Sequence, residues 1–137
     1  LGADHPATLR SVGNLATLLQ SQGKYNESET MHRRALEGSE KILGADHPDT
    51  LTSVGGLATV LQDQGKYNES ETMHRRALEG SERILGPDHP DTLTSANDLG
   101  ILLRNQGNYS ESEMMNRRAL GGYERIHGLD HPYTLTS

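Results

Sequence analysis

The chain has 137 residues, a formal charge of −6 at neutral pH, five tyrosines, and no cysteine, tryptophan or phenylalanine. Without thiols there is no disulfide framework and no thiolate metal site; the acidic balance argues against nucleic acid. No apolar run approaches the roughly 20 residues needed to cross a bilayer, so the core must come from Leu, Ile, Ala and Val, which suits thin layers of packed helices.

The first predicted element opens at Pro6, tolerated in a first helical turn and preceded by the polar pair Asp4-His5. Leu9, Val12, Leu15, Ala16 and Leu19 then follow helical spacing, with their stripe on one face. Gly23 breaks the helix within Ser21-Gln22-Gly23-Lys24. A second helix follows, its stripe carrying Tyr25, Ser28, Met31, His32, Ala35, Leu36, Ile42 and Leu43, and Gly44 is its stop. Period-two alternation is absent, so strands have no support.

Everything after this repeats. Leu1-Gly2-Ala3-Asp4-His5-Pro6 returns as Leu43-Gly44-Ala45-Asp46-His47-Pro48, as Leu85-Gly86-Pro87-Asp88-His89-Pro90, and as His127-Gly128-Leu129-Asp130-His131-Pro132, a period of 42 residues. The expected organisation is a single array with units 1–42, 43–84 and 85–126 and a partial fourth unit at 127–137. Such a period means stacked supersecondary units; the expected class is all-α, antiparallel helix pairs stacked as a solenoid. Gly38, Gly80 and the Gly121-Gly122 pair fall inside second helices and should each cost about 1 kcal/mol relative to Ala. Stability should therefore come mainly from stacking between units.

Asn14-Leu15-Ala16, Gln22-Gly23-Lys24-Tyr25, Arg33-Arg34-Ala35-Leu36 and Leu43-Gly44-Ala45-Asp46-His47-Pro48 together resemble the long tetratricopeptide (TPR) repeat of kinesin light chains. The same repeat type is similar to the C-terminal arrays of fungal NOD-like STAND receptors. The resemblance spans essentially the whole chain. It implies a right-handed superhelix whose first helices line a concave groove for peptides or protein segments. Ser28, Ser70 and Ser112 stand where the family usually packs Ala, and His32, His74 and Asn116 where it usually has an aromatic residue. The carboxylate-clamp variant of the family uses Lys, Asn and Arg on its groove; the matching positions here include Gly13, Asn14, Gly55, Gly56, Asn97 and Asp98, with no Lys among them.

The first two units differ at six positions: Ala7/Asp49, Arg10/Thr52, Asn14/Gly56, Leu18/Val60, Ser21/Asp63 and Lys41/Arg83. Five of the six lie in or at the start of the first helix. Arg10, Asn14, Thr17 and Ser21 share a narrow stripe, expected opposite Leu15 and Leu19 and facing the groove. The second unit offers Thr52, Thr59 and Asp63 there; the third offers Asn97, Asp98, Ile101, Arg104 and Asn105. These twelve residues are the candidate ligand contacts. A variable groove on a fixed scaffold suits recognition, and the constancy of the second-helix surface (Glu27, Glu29, Arg33) argues against general drift.

Other motifs read as structural. His5, His47, His89 and His131 recur about 10 Å apart in a stack, too far to share an ion, and read as helix-entry caps. His32 and His74 read as packed core residues. Arg33, Arg75 and Arg117 follow Glu29, Glu71 and Glu113 at the spacing of surface helix ion pairs. The Asn-X-Ser triplets at Asn26, Asn68 and Asn108 begin packed helices and read as chance. No nucleophile–base set or phosphate-cradling loop is present.

The expectation is a cytoplasmic, non-enzymatic module without metal or cofactor. It binds a protein or peptide segment, not nucleic acid or membrane, as the sensing array of a larger receptor. The alternative is a structural spacer or self-assembling array. Val12 and Leu36 at one end, and Leu120 and Ile126 at the other, are expected to be exposed and to drive head-to-tail association.

Overall fold

The computed structural model describes residues 5–130. Six helices occur in order: α1 (Pro6–Ser21), α2 (Tyr25–Leu43), α3 (Pro48–Asp63), α4 (Tyr67–Leu85), α5 (Pro90–Asn105) and α6 (Tyr109–Asp130). There is no strand among the described residues, and none of their helices is long and apolar enough to cross a membrane. Each odd-numbered helix packs against the even-numbered one that follows, and α2 and α4 pack onto the first helix of the next pair. The product is a superhelical array of helix pairs.

The repeated motif builds each helix entry in the same way. Proline occupies the first turn of α1, α3 and α5, and the preceding His5, His47 or His89 is the N-cap. Each imidazole accepts through Nδ1 from the backbone N–H two residues on, at 3.1 Å. That bond satisfies one of the orphan donors of a helix start. His131, the fourth member of the set, lies outside the described residues. Within each pair the turn closes at Gly23, Gly65 and Gly107, whose φ values of 78°, 80° and 84° fall in the left-handed region, open to glycine without cost.

Leu57 is buried, as the periodicity requires, in a cluster with Leu36, Val54, Val60, Leu61 and Ala77. The cluster recurs one unit later as Leu78, Ala96, Leu99, Leu102, Leu103 and Ala119. Both straddle a junction between pairs. This corrects the sequence reading of the first unit: Leu15, matched in sequence to Leu57, is 45% exposed. Its face points away from α2, and in α3 and α5 the same face is covered by the preceding pair. Val12 and Leu36, expected to be exposed, are buried, because they pack inside the array; Leu15 and Leu18 take the exposed role. At the other end Leu120 is exposed as expected, and Ile126 is half-buried. Ile42, placed on the packed stripe by its spacing, is exposed, as is Ile84.

The glycines inside second helices are contact points. A Cβ on Gly38 would stand 2.4 Å from a Leu9 methyl; the corresponding approaches are 2.6 Å for Gly80 to Leu51 and 2.3 Å for Gly122 to Leu93. Their propensity cost is thus offset by the close seating of a buried leucine. The serines that replace the family's alanine are likewise buried and committed. Ser28, Ser70 and Ser112 donate to the carbonyls of Ala16, Ala58 and Gly100 at 2.6, 2.7 and 2.7 Å.

α6 continues to Asp130, whereas α2 and α4 end at Leu43 and Leu85, just before Gly44 and Gly86. The matched Gly128 is helical. The expected partial fourth unit therefore begins inside α6, and residues 131–137 lie outside the described residues, as do Leu1-Gly2-Ala3.

Candidate binding groove

A concave cavity of about 590 Å³ runs along the array from α1 to α5. Of the twelve candidate contacts, Arg10, Asn14, Thr17, Thr52, Thr59 and Asp98 line it. Ser21, Asp63, Asn97, Ile101, Arg104 and Asn105 do not. Arg104 instead borders a shallower depression beside Tyr109, Asn116 and Leu120. The cavity floor also draws on second helices, through His32, Ala35, Ser39, Ala77 and Ser81; the periodicity places His32 and Ala35 on the packed stripe and gives no groove role to Ser39, Ala77 or Ser81. All five are buried, and the alanines and serines among them are small, so no sequence signal separates core from floor.

The contacts also explain why particular positions vary. A side chain at Gly56 would begin 2.7 Å from the imidazole of His32, so the asparagine found at position 14 does not fit at position 56 unless the imidazole moves. Asp63 accepts from Gln20 Nε2 at 2.7 Å, which ties α1 to α3. In the next unit the matching Gln62 instead meets His74 at 3.3 Å. With Gln20 engaged elsewhere, the buried His32 Nε2 has no hydrogen-bond partner among the described residues. Two of the six differences between the first units thus have packing causes.

The constancy of the second-helix surface has one as well. Arg33, Arg75 and Arg117 make the expected pairs with Glu29, Glu71 and Glu113. Arg33 also reaches Glu69, and Arg75 reaches Glu111. Arg76–Glu40 and Arg118–Glu82, at 3.0 and 2.8 Å, bridge the same two junctions. Lys66 joins Glu29 at 3.0 Å. Burial pulls the Glu29 carboxyl upward, but hydrogen bonds from Arg33, Gln64 and Lys66 prevail and hold it at about 2. This surface is a lattice between units and is fixed for that reason.

Electrostatically the cavity is uneven. Arg10 lies at one end; Asp49, Asp91 and Asp98 lie toward the other. Asp49 and Asp91 sit in the first turns of α3 and α5, where they complement the helix dipoles. Asp98 has no such role: it is half-buried in the middle of α5 and makes no hydrogen bond or ion pair among the described residues. Burial pushes its carboxyl above the usual range. Burial lowers His32 and brings His74 down to about 4, so both imidazoles are neutral near pH 7. The described residues contain no cluster of His, Cys, Asp and Glu able to hold a metal ion.

Two tetratricopeptide repeat family models match the chain, one over residues 8–49 and the other over residues 50–125. No curated protein matches the chain. Among solved structures, BtubC (BKLC) from P. vanneervenii is 22% identical with a TM-score of 0.82, over 88% of this chain and 47% of that one. A putative kinesin light chain from Podospora anserina with nearly identical TPR-like repeats is 23% identical with a TM-score of 0.79, over 92% of this chain and 60% of that one. The TPR domain of Arabidopsis FLU is 19% identical with a TM-score of 0.73, over 85% of this chain and 95% of that one. At these identities the likeness is one of fold. The chain spans less than two thirds of the length of the first two.

Proposed function

Because the chain belongs to the tetratricopeptide repeat family, a generic protein-interaction module, we propose that its concave cavity holds an extended protein segment and seats a basic side chain of that segment against Asp98. The observation that carries this reading is the carboxylate itself. An acid half-buried without a cation destabilises the free protein; a Lys or Arg side chain from a partner would relieve that cost. Arg10 at the opposite end would orient the segment by meeting an acidic or carbonyl group, and Asn14, Thr17, Thr52 and Thr59 would serve its backbone. The small floor residues leave room for a backbone to lie close. The array has no catalytic role. The likeness of its sequence to the arrays of fungal NOD-like STAND receptors supports the finer reading of a sensing segment in a larger cytosolic receptor.

The test is fluorescence anisotropy with labelled ten-residue peptide pools matched in length, in which the central position is fixed as Lys, Glu or Gln. The Lys pool should bind best, and Asp98→Asn should weaken it about tenfold or more while leaving the melting temperature equal or higher. Asn105→Ala, off the cavity, should change nothing. Equal binding of the three pools, or loss through Asn105→Ala alone, would overturn the reading.

A further inference from the structure

His32 and His74 are the same residue one unit apart, and their surroundings treat them differently. His32 lines the cavity and His74 does not. His74 Nε2 meets Gln62 at 3.3 Å. His32 is only 5% exposed, and neither of its ring nitrogens has a hydrogen-bond partner among the described residues. An unpaired polar group in the interior costs stability. The fold holds the means to avoid that cost, since Gln20 is matched in sequence to the Gln62 that serves His74.

Two neighbours of His32 act on it in the same direction. Asp63 draws Gln20 away with a bond of 2.7 Å, whereas its counterpart Asn105 leaves Gln62 to His74. Gly56 makes room for the ring: a Cβ there would stand 2.7 Å from Cε1 and 2.8 Å from Nδ1. The matched residues Asn14 and Asp98 carry side chains, and both line the cavity. Beside Gly56 the imidazole therefore takes the place that those side chains hold on their own helices, with its Nδ1–Cε1 edge in the groove wall. A half-turn of the ring about Cβ–Cγ exchanges its two edges with hardly any change of outline, so either nitrogen can face a ligand.

We propose that His32 is a specificity-determining residue of the groove. Its imidazole hydrogen-bonds a carboxamide side chain, Asn or Gln, of the bound segment, one repeat's distance from the basic side chain that meets Asp98. The assignment rests on the reading of the cavity as a site for an extended segment. A neutral imidazole offers a donor on one nitrogen and an acceptor on the other, and a carboxamide supplies the complement of either. A carboxylate would call for an imidazolium, which burial disfavours at His32. An aliphatic side chain would leave the ring unpaired. The register follows from geometry. Gly56 and Asp98 are matched positions one unit apart, about 10 Å in a stack of helix pairs, and an extended chain covers that distance in about three residues.

The experiment is fluorescence anisotropy with labelled ten-residue pools, with circular dichroism melts to establish that every variant is folded. Each pool carries Lys or Met at the centre, and Gln or its near-isostere Met at both positions about three residues away. With either residue at the centre, the Gln pool should bind about threefold to tenfold better than its Met counterpart. His32→Phe keeps an aromatic ring in place and should abolish that preference. Asp63→Asn removes no cavity contact but frees Gln20 to bond His32, and should abolish it too. Asp98→Asn should remove the preference for central Lys and keep the preference for Gln, so the two readings fail separately. In the wild type, the ring-nitrogen NMR resonances of His32 should shift with the Lys–Gln pool and not with the Lys–Met pool. Equal binding of Gln and Met pools, a Gln preference that survives His32→Phe or Asp63→Asn, or ring nitrogens indifferent to Gln would each overturn the proposal.

Discussion

His74 occupies a position where the family usually has an aromatic ring, and it carries a titratable group into the interior. Burial holds it at about 4, below the ordinary imidazole value near 6.5. The unfolded chain therefore takes up a proton that the folded chain refuses, so this contribution to stability is lost as pH falls from about 6.5 to 4. Glu29, held at about 2, adds a second loss below its ordinary value near 4.5 by the same linkage. Urea titrations from pH 8 to pH 3 should show stability falling from pH 6.5 downward, by on the order of a few kcal/mol in all. His74→Gln should flatten the upper part of that fall; an unchanged profile would mean that the imidazole titrates freely. His74 was legible in the sequence as a packed residue by its place on the apolar stripe. The divergent bonding of Gln20 and Gln62 was not, because the two residues are identical and only their neighbours at positions 63 and 105 differ.

At the scale of the helix, glycine has two opposite meanings here, and geometry separates them. Gly55 is helical with nothing within 4 Å of a Cβ, whereas Gly80 would press a Cβ to 2.6 Å from Leu51. Gly55→Ala should stabilise by about 0.5–1 kcal/mol, through helix propensity alone. Gly80→Ala gains the same propensity but must displace a buried leucine, so a net loss of about 1–3 kcal/mol is expected. Guanidinium titration of the two variants should give midpoints on opposite sides of the wild type. The helices, their proline entries and their glycine turns were readable from period and punctuation. The Leu–Gly seats were not, because they depend on how closely two helices approach, and propensity describes a helix alone. The groove stripe was legible in part: periodicity placed Arg10, Asn14, Thr17 and Asp98 on one side, but which candidates line the cavity depends also on the second helices behind them.

For the array as a whole, position in the stack decides what a residue contributes. Leu57→Ala empties a site that is 1% exposed and should cost about 2–5 kcal/mol. Leu15→Ala removes the same side chain at the matched place in the first unit, where it is 45% exposed, and should cost well under half as much in the monomer. Chemical denaturation at low concentration should separate the two; equal losses would show that the first-unit face is packed within one molecule. Since the local sequence around Leu15 and Leu57 is nearly the same, only the neighbouring pair distinguishes them.

The leucine clusters and ion pairs that join one helix pair to the next recur at the same offset along the chain. A recombination event that slipped the gene by one whole period would therefore insert or delete a complete helix pair, and the flanking surfaces would still meet their usual counterparts. Slippage by any other length would tear the register. The number of units is thus the cheapest trait of this protein for heredity to change, and with it the length of the groove, while the code at each groove position can drift independently.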